Sequence, residues 1–212
     1  MFFWSSFLDL IRVVLFSLAH VCGGSLGGGI IMLSLLVRLA LLPLTLRLAL
    51  RAREHQAVLR GLEPQLAALK KRHAEDPLAL ARAQRDLHAA NGVGIMPKGS
   101  LLGTMVQMPI GAGVYEVIRE STLRAARFLW IGDLSRPDAL VASVAAGLAG
   151  AAVVAGPSSG SSKVAAALAA ATTFLIAWRL SAGVGLYWMA SNVVGVVQSL
   201  LVRRAVAGTE KA

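Results

Sequence analysis

The chain is poor in the residues that most enzymes and secreted proteins use. It has one cysteine in 212 residues, so Cys22 excludes an intramolecular disulfide framework. The residues before it (Ala19, His20, Val21) fit a lipidation box poorly. Four scattered histidines (His20, His55, His73, His88) show no metal-ligand spacing, which predicts no metal centre. Aromatic residues make up 6% and charged residues 15% of the chain, and acids are the scarcer charge, with 11 Asp+Glu against 21 Lys+Arg. Met1 to Ser6 carries no basic segment, and no small-residue cleavage site follows the weak apolar run Val13 to Ala19, so no cleaved signal peptide is expected. Gly156-Pro157-Ser158-Ser159-Gly160 fits the Gly-x-Ser-x-Gly pattern, but no strand precedes it and no histidine follows it. It reads as a connector between helices. No phosphate-cradling loop or nucleic-acid motif occurs, and the prediction is a protein that is not an enzyme, binds no cofactor and recognises no specific nucleic acid.

What is present is apolar. The set AVILMFWYC supplies 56% of the residues and the mean hydropathy is +0.67, with a net charge of +10. A greasy chain with a basic surplus fits a membrane better than water. Five apolar stretches approach spanning length: Gly29 to Leu46, Ser100 to Val117, Ala139 to Ala155, Val164 to Trp178 and Val184 to Val202. The third and fourth are short and rich in Ala and Gly, which predicts close packing. Between the first two lies a polar insert, Arg47 to Lys98, holding ten of the 21 basic residues. Apolar positions at Val58/Leu59, Leu62, Leu66 and Leu69, and again at Leu80, Ala83, Leu87 and Ala90, repeat at helical spacing. The insert therefore reads as a helical hairpin, with Asp76 placed to cap the second helix and Pro77 at its first position. With the insert on the cytoplasmic side, 14 basic residues fall there and six on the other side, so the N-terminus is expected outside and the C-terminus inside. Phe2 to Ala19 mixes Phe, Trp and Leu with Asp9 and Arg12, as an interfacial helix on the outer surface does. The fold class is an all-α polytopic membrane protein.

Arg38 lies near the midpoint of the first span, where an arginine costs about 2.5–3.5 kcal/mol on insertion scales. No acidic residue lies at comparable depth in another span; Glu116 belongs near the outer end of the second. Ser34 and Thr45 share the Arg38 side of the helix. The second span clusters Thr104, Gln107 and Gly111, with Tyr115 at the margin. The fifth aligns Trp188, Asn192, Gly195 and Ser199, with Tyr187, Ser191 and Gln198 to one side. Polar stripes also hold helices together through hydrogen bonds. The uncompensated arginine favours an aqueous groove, and the residues assigned to it are Arg38, Gln107, Trp188, Ser34, Thr104, Tyr187, Asn192 and Gln198.

Gly28 to Thr45, with Arg38 followed by Pro43-Leu44-Thr45, resembles the first conserved span of the YidC/Oxa family of membrane protein insertases. The resemblance continues through Leu62-Glu63-Pro64, Pro97, Gln107-Met108-Pro109, Tyr115, Leu129-Trp130-Ile131, Asp133-Leu134-Ser135, Pro137-Asp138, Gly185-Leu186-Tyr187-Trp188, Ser191-Asn192 and Gln198. It covers about residues 10–204. It implies a five-span core with a groove open to cytoplasm and lipid, the groove arginine mapping onto Arg38 and its polar companions onto Gln107 and Trp188. Residues 1–24 become the interfacial helix, 25–46 the span with the groove arginine, 47–97 the cytoplasmic hairpin, 98–204 the four further spans and 205–212 a short cytoplasmic tail. The family usually has another proline where this chain has Gly103, and often one where it has Ser181 or Ala182. Within these 212 residues no segment is expected to correspond to the large extracytoplasmic domain of Gram-negative members or to a long basic ribosome-binding tail. The implied function is insertion and chaperoning of nascent membrane proteins in the bacterial inner membrane, by a monomer, with the lipid bilayer, the ribosome and the Sec translocon as partners. The alternatives are a small-solute transporter or channel built on the same intramembrane Arg and Gln, and a purely structural assembly factor.

Overall fold

The computed structural model describes residues 2–74, 76–92, 94, 100–123, 126–156 and 162–209. They form seven helices: α1 (Phe2–Val21), α2 (Leu26–Arg72), α3 (Pro77–Ala90), α4 (Ser100–Thr122), α5 (Ala139–Ala155), α6 (Ser162–Ala177) and α7 (Ala182–Thr209). Among the described residues the only extended pairing is an isolated bridge between Phe128 and Ile131. The chain divides into two units, residues 1–43 with 108–212, and residues 44–107. Both divisions fall beside a proline inside a helix, Pro43 in α2 and Pro109 in α4. Proline has no N–H, so the carbonyls of Leu39 and Met105 lose their intrahelical donor at these points.

The larger unit has one apolar core. Leu8, Ile11 and Leu15 of α1, Ile30 and Leu33 of α2, Val114, Val117 and Ile118 of α4, Val141 of α5, and Val184 and Leu186 of α7 are buried together with Ile131 and Leu134 of the α4–α5 connection. The α1–α2 turn is made by Gly23 and Gly24, whose φ values of +69° and +85° suit glycine. At the start of α7 a Cβ on Gly183 would lie 2.7 Å from Thr122 Cγ2, and one on Gly185 2.7 Å from Val141 Cγ1. The absent side chains let α7 approach α4 and α5. The 17-residue α5 and 16-residue α6 pack closely, as their small residues predict, with a Gly150 Cβ position 3.3 Å from the Ala166 carbonyl oxygen. Asp138 caps α5, its carboxylate accepting the Val141 N–H at 2.9 Å. By length and composition 3–21, 26–72 and 182–204 suffice to cross a membrane, while α5 and α6 are shorter apolar helices. The stretch expected to lie at an interface, α1, thus has enough apolar length to span as well.

In the smaller unit Asp76 caps α3, its Oδ1 accepting from the N–H groups of Leu78 at 2.9 Å and Ala79 at 3.0 Å, with Pro77 opening the helix. The first hairpin helix is not a separate element. α2 runs without a break for 47 residues because residues 47–60 contain neither glycine nor proline and are mostly strong helix formers. Polarity changes at Arg47; the backbone does not.

Candidate functional site

Four residues on α2 and α7 form the centre of the site. Ser34 and Arg38 are one helical turn apart on α2, as Tyr187 and Ser191 are on α7, and an i, i+4 pair shares one face. The pairs meet in register: the Ser34 hydroxyl donates to the Tyr187 carbonyl at 2.8 Å, and Arg38 Nε donates to the Ser191 hydroxyl oxygen. Residue numbers rise along both helices through the contact, so α2 and α7 run parallel here. Ser34 is fully buried and Ser191 nearly so, whereas Arg38 is half-buried. The ion pairs found among the described residues join Arg12 to Asp9 at 2.5 Å, Arg12 to Glu120 at 2.7 Å and Arg136 to Asp133 at 3.3 Å. Arg38 belongs to none of them, and its hydrogen-bond acceptor is a neutral hydroxyl.

On one side of Arg38 the unit is sealed. Ile30, Leu33 and Ser34 precede it on α2, and Ala182, Val184 and Leu186 precede Tyr187 on α7, all buried. The α4–α5 connection closes over the start of α7. Leu134 N–H donates to the Ala126 carbonyl at 2.9 Å, while Ala182 and Gly183 N–H donate to the Arg136 and Leu134 carbonyls at 2.8 and 3.0 Å. Loop carbonyls thereby satisfy amides that the first turn of α7 cannot pair internally. Arg38 follows this apolar seal by one turn of α2.

The remaining assigned residues are distributed more widely. Tyr187 and Trp188 are half-buried and pack against the apolar core. Asn192 Nδ2 donates to the Ala145 carbonyl of α5 at 3.0 Å, so this side chain ties α7 to α5. Gln198 and Thr45 are half-buried and each is engaged by a neighbour. Gln107, on α4 in the other unit, is exposed. Thr104 is in α4, with its side chain outside the described residues, as are Pro97 and 157–160 of the proposed connector. Ser191, the group that holds Arg38, was read from sequence only as part of a stripe. Its register with Arg38 depends on α2 lying beside α7, which no spacing within one helix reveals. The α5 acceptor of Asn192 is a main-chain oxygen and has no sequence signal.

The α4–α5 connection is built by local chemistry. Asp133 Oδ1 accepts from Ser135 Oγ at 2.6 Å and from Ser135 N–H at 2.8 Å, and Oδ2 faces Arg136. The Ser135 hydroxyl, then its N–H, and to a lesser extent Arg136 hold this carboxyl below the ordinary carboxylate range, against a smaller opposing effect of burial.

The sequence profile of the family described as "60Kd inner membrane protein" matches residues 17–210. The chain belongs to the YidC/Oxa family. Among relatives of this family, the membrane protein insertase YidC of Aeromonas salmonicida (strain A449) is 36% identical over 191 residues, covering 84% of this chain and 33% of that protein. The protein of the same name from Pseudomonas fluorescens (strain SBW25) is 31% identical over 203 residues, covering 91% of this chain and 35% of its own length. The chain thus spans about a third of the length of the curated relatives it matches. A crystal structure of an active YidC insertase with its first transmembrane domain resolved aligns with a TM-score of 0.63 at 21% identity, over 92% of this chain and 45% of that one. It shares the YidC fold. Against the YidC/Oxa pattern, the departure at 181–182 has a structural counterpart: the Ala182 N–H is used by the Arg136 carbonyl, a bond that proline there could not make. The Ser181 hydroxyl is buried with no partner among the described residues.

Proposed function

We propose that the chain is a membrane protein insertase that works without covalent chemistry, its hydrophilic groove centred on Arg38. The observation that carries this reading is a half-buried arginine, held by a neutral hydroxyl and in no ion pair among the described residues, one turn beyond an apolar seal. Such a charge is available to a passing anion, whereas an ion-paired one is already satisfied. A nascent segment's hydrophilic flank enters from the cytoplasmic side and its acidic groups are drawn to Arg38. The neighbouring apolar segment then leaves sideways into lipid, gaining about 25 cal/mol per Å² of apolar surface removed from water. The insertase names of the relatives support the same activity. Trp188 and Gln107 take the companion roles that the resemblance gives them. The hairpin and the C-terminus are cytoplasmic and the N-terminus is outside, because the basic residues concentrate on that side. The test is photo-crosslinking to ribosome-stalled nascent membrane proteins from a probe at position 38, with separate probes at 107 and 134. Crosslinks from 38 and 107 but not from the sealed position 134 are expected. A probe at 38 that captures no client while 134 does refutes the reading.

A further inference from the structure

The α4–α5 connection carries a feature that neither the seal nor the groove uses. Phe128 and Ile131 exchange both main-chain hydrogen bonds, at 3.0 and 2.8 Å, leaving Leu129 and Trp130 as a two-residue tip. The base of the turn is fixed. The Phe128 ring occupies the space over Gly27, where a Cβ would lie 2.2 Å from its Cγ. Ile131 and Leu134 are buried. The tip faces the other way, with Leu129 75% and Trp130 51% exposed. Leu129 also has a φ of +50°, at the first central position of a tight hairpin, where glycine is the favoured residue. A leucine held there is strained and projects apolar surface outward, so its side chain has a use that glycine would not supply.

The surroundings identify what covers it. Hydrogen bonds from Ala182 and Gly183 to Arg136 and Leu134 place the α6–α7 turn beside this connection, and that turn brings an exposed Trp178 followed by an exposed Arg179. Arg127 and Arg136 are also exposed, the latter while paired with Asp133. Two exposed tryptophans and a leucine interleaved with arginines, at the ends of apolar helices, match the composition of a membrane–water interface. There indole rings sit at headgroup level and guanidinium groups reach phosphate. We propose that the Leu129-Trp130 tip is an interfacial anchor. It inserts into the phospholipid headgroup layer of the leaflet at this end and holds the rigid connection, and with it the seal over α7, at a fixed depth. The inference rests on the membrane-spanning reading of the helices and is independent of which side of the membrane they face.

The test uses single-tryptophan proteins in phospholipid vesicles containing brominated lipids. One retains Trp130 (Trp4→Phe, Trp178→Phe, Trp188→Phe); the other replaces all four tryptophans by Phe and carries Leu36→Trp, at an exposed position in the middle of the apolar part of α2. The Trp130 protein is expected to emit at shorter wavelength than indole in water, and to be quenched more by bromines near the headgroup than by bromines near the chain ends. Adding Leu129→Asp is expected to shift the emission to the red and weaken that quenching, whereas Leu129→Gly, which suits the backbone, leaves the fold intact and shifts it less. Quenching of Trp130 by aqueous iodide but not by bromolipid overturns the proposal, as does protection from both, which indicates a protein partner or a second copy. If the tryptophan at 36 also escapes bromolipid, the membrane-spanning reading itself fails; if it is quenched and Trp130 is not, the anchor alone fails.

Discussion

Arg38→Ala is the substitution on which the groove reading stands or falls, because it removes the charge and leaves the seal residues in place. A client carboxylate at 4 Å from the guanidinium gains about 1 kcal/mol in bulk water and about 4 kcal/mol at the effective dielectric of a partly buried site. The difference of about 3 kcal/mol, applied to the barrier, corresponds to roughly a hundredfold in rate. Insertion of a single-span client with an acidic flank is therefore expected to slow by about two orders of magnitude in reconstituted vesicles, scored by protease protection of the translocated flank. Arg38→Lys keeps the charge without the planar fork and should retain part of the activity. Ser191→Ala removes the neutral acceptor but not the charge, and should insert the same client at close to the unmodified rate. Replacing the client's acidic residues by their amides should erase the difference between the unmodified protein and the Arg38→Ala variant. Full activity of that variant on the acidic client refutes the electrostatic mechanism, as does an equal defect on the acidic and amide clients.

Leu134 is fully buried in the seal, so Leu134→Ala is expected to cost about 2–5 kcal/mol of stability, measured by denaturant unfolding in mixed micelles. Asp76→Ala removes both accepted amide bonds at the start of α3 and should cost about 1 kcal/mol, read as faster amide hydrogen exchange at Leu78 and Ala79. Asp133 has a carboxyl held below its ordinary value, chiefly by the Ser135 hydroxyl. A depressed folded-state value means that its contribution to stability is present above the unfolded pKa and is lost as pH falls through the folded one. Ser135→Ala should move that loss to higher pH, towards the ordinary 3.8, in a carboxyl-resolved NMR titration.

Much of the helical framework was legible because apolar periodicity and caps are local signals. Asp76-Pro77 marked the start of α3, and the Ala- and Gly-rich stretches marked two short, closely packed helices. That the first hairpin helix continues α2 was not legible for an equally local reason: a change from apolar to polar residues does not break a helix when the residues across the change are mostly helix formers. The polar stripes were visible, but their division of labour was not. Ser34 and Asn192 make helix-to-helix hydrogen bonds to main-chain oxygens, while Arg38 is held by a side chain on a helix more than 140 residues away in sequence.

The sequence alone determined that the chain is a basic, helical membrane protein with an arginine in the middle of its first long apolar stretch. Those properties follow from composition and from spacing along single helices. Tertiary structure decided that Ser191 holds Arg38, that the α4–α5 connection seals the start of α7, and that Leu129 and Trp130 project from it. Each of these depends on which helices are neighbours and in what register. Contacts between distant segments set that arrangement, and no period within one segment records it.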